Sequence, residues 1–265
     1  MSNTQNISNN IVSEYISAHN EYIKKYGDKT VVLMQVGSFF EMYMINNAGP
    51  NLKEISQMLN IVCTKKDKSV LEVSIKNPYM LGFPLVASDK FITIFIQNGY
   101  TVALIEQVTP PPEPKRKCTN VFSPSTFISS TPNVDTNYAV CLYLEYESQK
   151  LKKQTQINPL LCVGLSAVDV TTGKVIVEEA ISSILDNELA LDLTSKFILN
   201  YSPREIFIVK NGEGKMDIET IIEYLQLDMR ICKIKKFDNK YTKIAYQEEF
   251  LGNVYKNNKT NVSLI

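Results

Sequence analysis

Histidine is all but missing from this chain: His19 is the only one in 265 residues. Ser-His-Asp catalysis and histidine-rich zinc sites therefore have almost no material, and His19 itself is expected on the surface of the first helix. Cysteine is sparse and poorly spaced for chemistry. Cys63, Cys118, Cys141, Cys162 and Cys232 are odd in number and form no Cys-x-x-Cys pair, as expected of reduced, mostly buried thiols in a cytosolic-type compartment. No run approaches the roughly 20 apolar residues a membrane span needs. The polar N-terminus lacks the regions of a signal peptide, so a soluble, non-secreted protein is expected. Net charge is also absent, with 28 Lys+Arg against 28 Asp+Glu. Residues 1–125 hold 12 basic and 10 acidic side chains, net +2, and residues 126–265 hold 16 and 18, net −2. That asymmetry permits a local basic face, but DNA binding cannot be argued from charge.

Nucleotide chemistry lacks its usual loop. Asn211-Gly212-Glu213-Gly214-Lys215-Met216 does not have the Gly-x-x-x-x-Gly-Lys-Ser/Thr spacing that wraps a phosphate. It reads as a hairpin-like loop, and no cofactor or metal is expected in this chain.

What is present is a globular composition, 44% hydrophobic and 21% charged, at a length that suits two domains. The first half alternates helix and strand. Residues 8–26 place Ile11, Tyr15, Ile16, Tyr22, Ile23 and Tyr26 at helical spacing, ending at Gly27-Asp28. Strands are expected at Val31–Val36, Phe39–Ile45, Ile61–Thr64, Thr101–Glu106 and Lys115–Phe122. Helices are expected at Leu52–Leu59 and from Ser88 or Asp89 to the Asn98-Gly99 stop. The second half reads as three strands, Tyr138–Glu147, Leu161–Val170 and Lys174–Glu178, followed by helix 184–200, strand Glu205–Val209, helix 217–225 and strand Met229–Ile234. Three meandering strands and then αβαβ suggest an RNase H-like layered domain.

That shape raises the possibility of a two-metal nuclease, which needs several converging carboxylates. The first strand has no central Asp. Its acid, Glu145, lies near the end, while Asp169, Glu178 and Glu179 sit at or outside strand ends. They read as solvated strand-end acids.

The motif that carries chemistry is Phe39-Phe40-Glu41, just past Gly37-Ser38. In an extended segment, residues two apart share a face. Phe39 and Glu41 would project together while Phe40 points into the core. An aromatic ring beside a carboxylate can wedge a base step and read the displaced base; the plainer alternative is a half-buried strand with an exposed acid.

The surroundings decide between these. Gly37-Ser38-Phe39-Phe40-Glu41 is followed by Cys63-Thr64-Lys65-Lys66 and then Leu81-Gly82-Phe83-Pro84. Ala103-Leu104-Ile105-Glu106-Gln107, Lys115-Arg116-Lys117 and Ser123-Pro124-Ser125-Thr126 complete six landmarks. In this order and spacing, across roughly residues 10–130, they resemble the mismatch-recognition domain of the MutS family of DNA mismatch-repair proteins. The resemblance implies an α/β chain in two parts: a small mixed-sheet mismatch-recognition domain at 1–130 and an RNase H-like connector domain at 131–265. It implies that Phe39 stacks on a mispaired base, that Glu41 hydrogen-bonds to it, and that Lys65, Lys66, Lys68, Lys115 and Lys117 are candidates for DNA contact. Arg116 alternates with its neighbours, so at most two of residues 115–117 share a face; Phe40, Met42 and Tyr43 are expected to pack.

The implied partners are double-stranded DNA with mismatches or small loops, a second copy in a full-length homodimer, and downstream repair factors on the connector. ATP and Mg would belong to the larger protein, of which this chain is expected to be an N-terminal fragment or a short relative. The Asn-, Ile- and Lys-rich composition suits an AT-rich genome, such as the giant-virus or coral-mitochondrial branch, and a cytoplasmic, nucleoid or viral-factory location. Three departures stand out. Ser38 replaces the family's Asp, Leu85-Val86 replaces an aromatic-His pair, and Ser125 replaces a Gly. The competing function is a protein-docking module that binds DNA without discriminating; relatives specialised for recombination lack the Phe-x-Glu pair.

Overall fold

The computed structural model describes residues 11–46, 48–110, 112, 114–128, 137–147, 159–212, 214 and 216–255. Two mixed sheets, each with its own hydrophobic cluster, account for the expected α/β class. The expected division between residues 130 and 131 lies outside the described residues.

The first sheet has the order β3-β4-β2-β1-β5-β6. Its centre is β1 (Thr30–Val36), parallel to β5 (Thr101–Gln107) and antiparallel to β2 (Phe39–Met44). Thr30–Met34 is a continuous buried run because helices cover both faces. On one face lies α1 (Ile11–Tyr26), whose Tyr15 hydroxyl donates to the Val32 carbonyl at 3.1 Å. On the other lie α2 (Leu52–Leu59) and α3 (Ser88–Gln97), where Phe83 meets Phe91 at 4.4 Å between ring centroids. The outer strands are β4 (Tyr79–Pro84), β3 (Thr64–Lys65) and β6 (Arg116–Phe122).

The second sheet has the order β11-β10-β7-β8-β9. β7 (Tyr138–Glu147), β8 (Leu160–Asp169) and β9 (Val175–Ile181) form the expected antiparallel meander. β10 (Glu205–Asn211) joins β7 in parallel, and β11 (Cys232–Lys235) joins β10 in parallel. Val140, Leu142 and Leu144 alternate with half-buried neighbours and face the core with Leu161, Val163 and Leu165. α4 (Leu189–Tyr201) and α5 (Ile218–Tyr224) supply Leu191, Phe197 and Ile221 to the same cluster.

Several expectations are corrected. His19 is buried, not on the surface, because it sits one turn past Tyr15 and stacks on it at 6.0 Å. All five cysteines are free and only partly buried. The short strand expected at Ile61–Thr64 is Thr64–Lys65, and Tyr79–Pro84 is an additional strand. The helix expected from residue 184 begins at Leu189, because Asp186 Oδ1 accepts from the Glu188 and Leu189 amides at 3.0 Å and so holds the helix entry. α6 (Ile244–Val254) is also additional and buries no residue.

The two sheets meet at a charged junction. Glu205, 1% exposed, lies 2.6 Å from the Lys233 ammonium and accepts hydrogen bonds from Ser123 at 2.8 Å and Ser125 at 2.5 Å. Lys233 in turn donates to Thr101 of β5 at 2.6 Å. Ser125, one of the departures from the family pattern, is thus a partner of this carboxylate.

Candidate nucleic-acid interface

The turn between β1 and β2 is two residues long, Gly37-Ser38, and Gly37 adopts φ +59°, a conformation glycine takes at no steric cost. It is pinned from two sides: Gln35 Nε2 donates to the Gly37 carbonyl at 3.0 Å, and the Leu85 amide to the Ser38 carbonyl at 3.0 Å. Immediately after the turn, β2 separates its side chains by parity. Phe39 is 43% exposed, Phe40 is 3% exposed, and Glu41 is half-buried on the face of Phe39. Val86, 98% exposed, follows β4 in a short 3-10 turn at Leu85–Ala87, just beyond the Phe39–Pro84 pairing.

Glu41 stands between Met34 of β1 and Gly82 of β4 in the ladder. A Cβ on Gly82 would lie 2.9 Å from the Phe40 carbonyl oxygen and 3.2 Å from Glu41 Cγ. Glycine at 82 therefore leaves the stem of the carboxylate its room. Along the strand, the Tyr43 hydroxyl donates to Glu41 Oε2. Tyr43 is buried, and its ring meets that of Tyr15 edge-on at 5.5 Å and 80°. Burial first, and then the bond to Glu41, push the Tyr43 phenol well above its ordinary pKa. It is a donor at every physiological pH. Sequence reasoning gave Tyr43 only a packing role. The period-2 face it shares with Glu41 was the available signal, whereas Gly82 becomes visible only once β4 pairs with β2.

The candidate lysines fall into two groups at opposite edges of this sheet. Lys65, in β3, is half-buried, and its ammonium donates to the Val70 carbonyl at 2.5 Å. Lys66 and Lys68 are exposed on the loop that follows. The side chain of Asn77 organises that loop, accepting from the Asp67 amide at 2.7 Å and donating to the Val70 and Glu72 carbonyls at 3.2 and 3.0 Å. Lys115 and Lys117 are exposed at the other edge, three strands from β2, or about 14 Å at the usual strand spacing. Arg116 turns the other way, donating to the Gln35 carbonyl at 2.9 Å and pairing with Glu14 of α1 at 3.3 Å. The fold thus brings Phe39 and Glu41 together and leaves the two lysine groups apart from them, at the two edges of the sheet.

In the second sheet, Asp169 is not a solvated acid. It is buried and accepts from the Asn137 amide at 3.2 Å, the Thr171 amide at 3.0 Å and the Thr172 hydroxyl at 2.7 Å. These bonds, Thr172 foremost, hold its carboxyl below the usual range. Glu145 accepts from Tyr143 at 2.9 Å and Asn211 at 3.1 Å. Among the described residues, no three His, Cys, Asp or Glu side chains are grouped to hold a metal ion, and no helix is long and apolar enough to cross a membrane.

Comparison with known proteins finds similarity to MutS proteins. Residues 17–131 match the family model for MutS domain I. A putative DNA mismatch repair protein, a mutS homolog of Acanthamoeba polyphaga mimivirus, is 29% identical over 94% of this chain and 23% of its own length. The DNA mismatch repair protein MutS of Desulforamulus reducens is 30% identical over 70% of the chain and 19% of its own length. That of Alkaliphilus oremlandii is 25% identical over 93% and 24%. The chain spans less than a quarter of the length of these relatives.

Proposed function

With residues 17–131 matching the family model for MutS domain I, we propose that this chain is the mismatch-reading part of a larger MutS-like mismatch-repair protein. The observation that carries the reading is the pairing of an exposed Phe39 with a half-buried Glu41 on one face of β2, directly after a pinned turn. Phe39 enters the minor groove beside a mispaired base and stacks on it. Apolar wedges of this kind kink DNA by roughly 20–90° at a cost of a few kcal/mol of unstacking. A mispaired base has already lost good pairing, so extruding it costs less, and that difference is the source of selectivity. Glu41 accepts a hydrogen bond from the displaced base. A carboxylate brought against a polyanion is otherwise repelled, so it penalises every site that offers no donor.

Lys66 and Lys68 on one edge, with Lys115 and Lys117 on the other, contact phosphates and fix the register without reading sequence. Lys65 already holds the Val70 carbonyl and serves the loop as much as the DNA. The chain performs no catalysis in this scheme. ATP and Mg, a homodimer partner and the repair factors docked by the second domain belong to the larger assembly.

The test is binding of labelled heteroduplex and homoduplex at fixed salt by wild type, Phe39→Ala and Glu41→Ala. A mismatch preference that Phe39→Ala abolishes and Glu41→Ala reduces supports the proposal. Equal binding of both duplexes by all three proteins overturns it and leaves the docking-module reading in the lead.

A further inference from the structure

We propose that Tyr43 is a positioning residue for mismatch discrimination, fixing the Glu41 carboxylate so that a single oxygen faces the DNA. The inference rests on the reading of Glu41 given above and extends it to a residue two positions along the strand.

Glu41 has three rotatable side-chain bonds and stands at the margin of the buried region, where an untethered carboxylate would sample several rotamers. The bond from Tyr43 removes that freedom, in room that Gly82 provides. Gly82, directly opposite, leaves space where any larger residue would press on Glu41 Cγ at 3.2 Å. The Tyr43 hydroxyl takes Oε2, and Oε1 has no hydrogen-bond partner among the described residues. A hydrogen bond between a phenol and a carboxylate is charge-assisted and strong for its kind. Tyr43 itself cannot wander. It is 4% exposed, its ring is braced edge-on by Tyr15, and the Tyr15 hydroxyl is tied to the Val32 carbonyl at 3.1 Å. The orientation of the reading carboxylate is thereby set by the core of the sheet, through Val32, Tyr15 and Tyr43. A group held by a locked support loses less freedom on engaging its target than one on a free side chain. The hydroxyl contributes this, because phenylalanine would fill the same space and brace equally well against Tyr15.

Tyr43→Phe separates these roles, since it deletes the hydroxyl and keeps the ring. In the heteroduplex and homoduplex assay, the variant is expected to lose about tenfold in mismatch preference, ~1.4 kcal/mol, with homoduplex affinity unchanged. In a Glu41→Ala background, the same substitution is expected to change nothing, because the carboxylate it positions is gone. A purely structural role would lower both affinities and persist in the Glu41→Ala background; either result overturns the proposal. Urea denaturation of wild type, Tyr43→Phe, Glu41→Ala and the double variant measures the hydroxyl–carboxylate coupling without DNA. Coupling is expected, and its absence overturns the proposal even if Phe39 and Glu41 discriminate as described. Coupling together with a wild type that shows no mismatch preference instead overturns the recognition role of Glu41 and, with it, this extension.

Discussion

Lys233→Met at the junction of the two sheets tests the energetics most directly. It removes the ammonium 2.6 Å from Glu205 and the bond to Thr101, and leaves a carboxylate that is 1% exposed. Breaking a buried ion pair by deleting one partner costs roughly 3–5 kcal/mol, because the remaining charge stays desolvated. Glu205 keeps its bonds from Ser123 and Ser125, and hydrogen bonds to a charged group are worth about 1.5–3 kcal/mol each. The expected loss therefore lies at the lower end, about 3 kcal/mol.

The pH dependence follows from the sign of the shift. Burial opposes ionisation of Glu205, but Lys233, Ser125 and Ser123 outweigh it, and the carboxyl is held below its ordinary value. A depressed carboxyl contributes stability that is present above the unfolded-state pKa, about 4.3 for Glu, and is lost as pH falls through the folded-state value. Urea melts followed by circular dichroism should show the gap between wild type and variant at pH 7 narrowing as falling pH protonates first the unpaired Glu205 of the variant and then that of wild type. Combining Lys233→Met with Glu205→Gln should cost less than the sum of the two single losses. A Lys233→Met protein within about 0.5 kcal/mol of wild type at pH 7 would refute the argument, since changes of that size are what surface substitutions away from such features produce.

Two further outcomes follow from buried polar groups in the first sheet. Burial lowers the pKa of His19, with the Thr30 backbone opposing, so the unfolded chain binds the proton more readily and stability should fall as pH drops below about 6.5. Tyr15 and Thr30 are the groups it faces, and His19→Leu should flatten that part of the stability–pH curve in the same urea melts. Asn77→Ala removes the partners of the Asp67 amide and of the Val70 and Glu72 carbonyls. It should speed amide exchange across residues 66–78 and cost about 1–3 kcal/mol, while leaving exchange in β1 unchanged; protection unaltered across the loop would refute Asn77 as its organiser.

Legibility differed from residue to residue for physical reasons. The opposed directions of Phe39 and Phe40 follow from the period of an extended chain and needed no tertiary information. Burial of His19 was also within reach, since Val12, Tyr15 and His19 form a stripe at spacings of three and four, but its polar ring argued for the surface. β4 contains Gly82 and Pro84, residue types that weaken a strand pattern; the strand tolerates them because Pro84 is its last residue and Gly82 faces a side chain that needs the space. α6 buries nothing, so it carries no core pattern by which to recognise it. The Glu205–Lys233–Thr101 contact joins residues 132 positions apart at its widest, and nothing local announces it.

β2 shows why so much of the candidate site was readable while its support was not. One parity places Phe40 and Met42 in the core, and the other places Phe39 and Glu41 at the surface before burying Tyr43 beneath α1. Under the proposed function the strand that carries Phe39 must hold its place against the bases, and packing of its opposite face supplies the anchor. Phe40, packed near Phe83 at 6.3 Å between ring centroids, is that anchor. Phe40→Ala would therefore remove the backing of the proposed wedge as well as core volume. Under the proposed function the Phe-Phe-Glu triplet is one device, a probe, its anchor and its discriminator, written in three consecutive residues because a strand alternates.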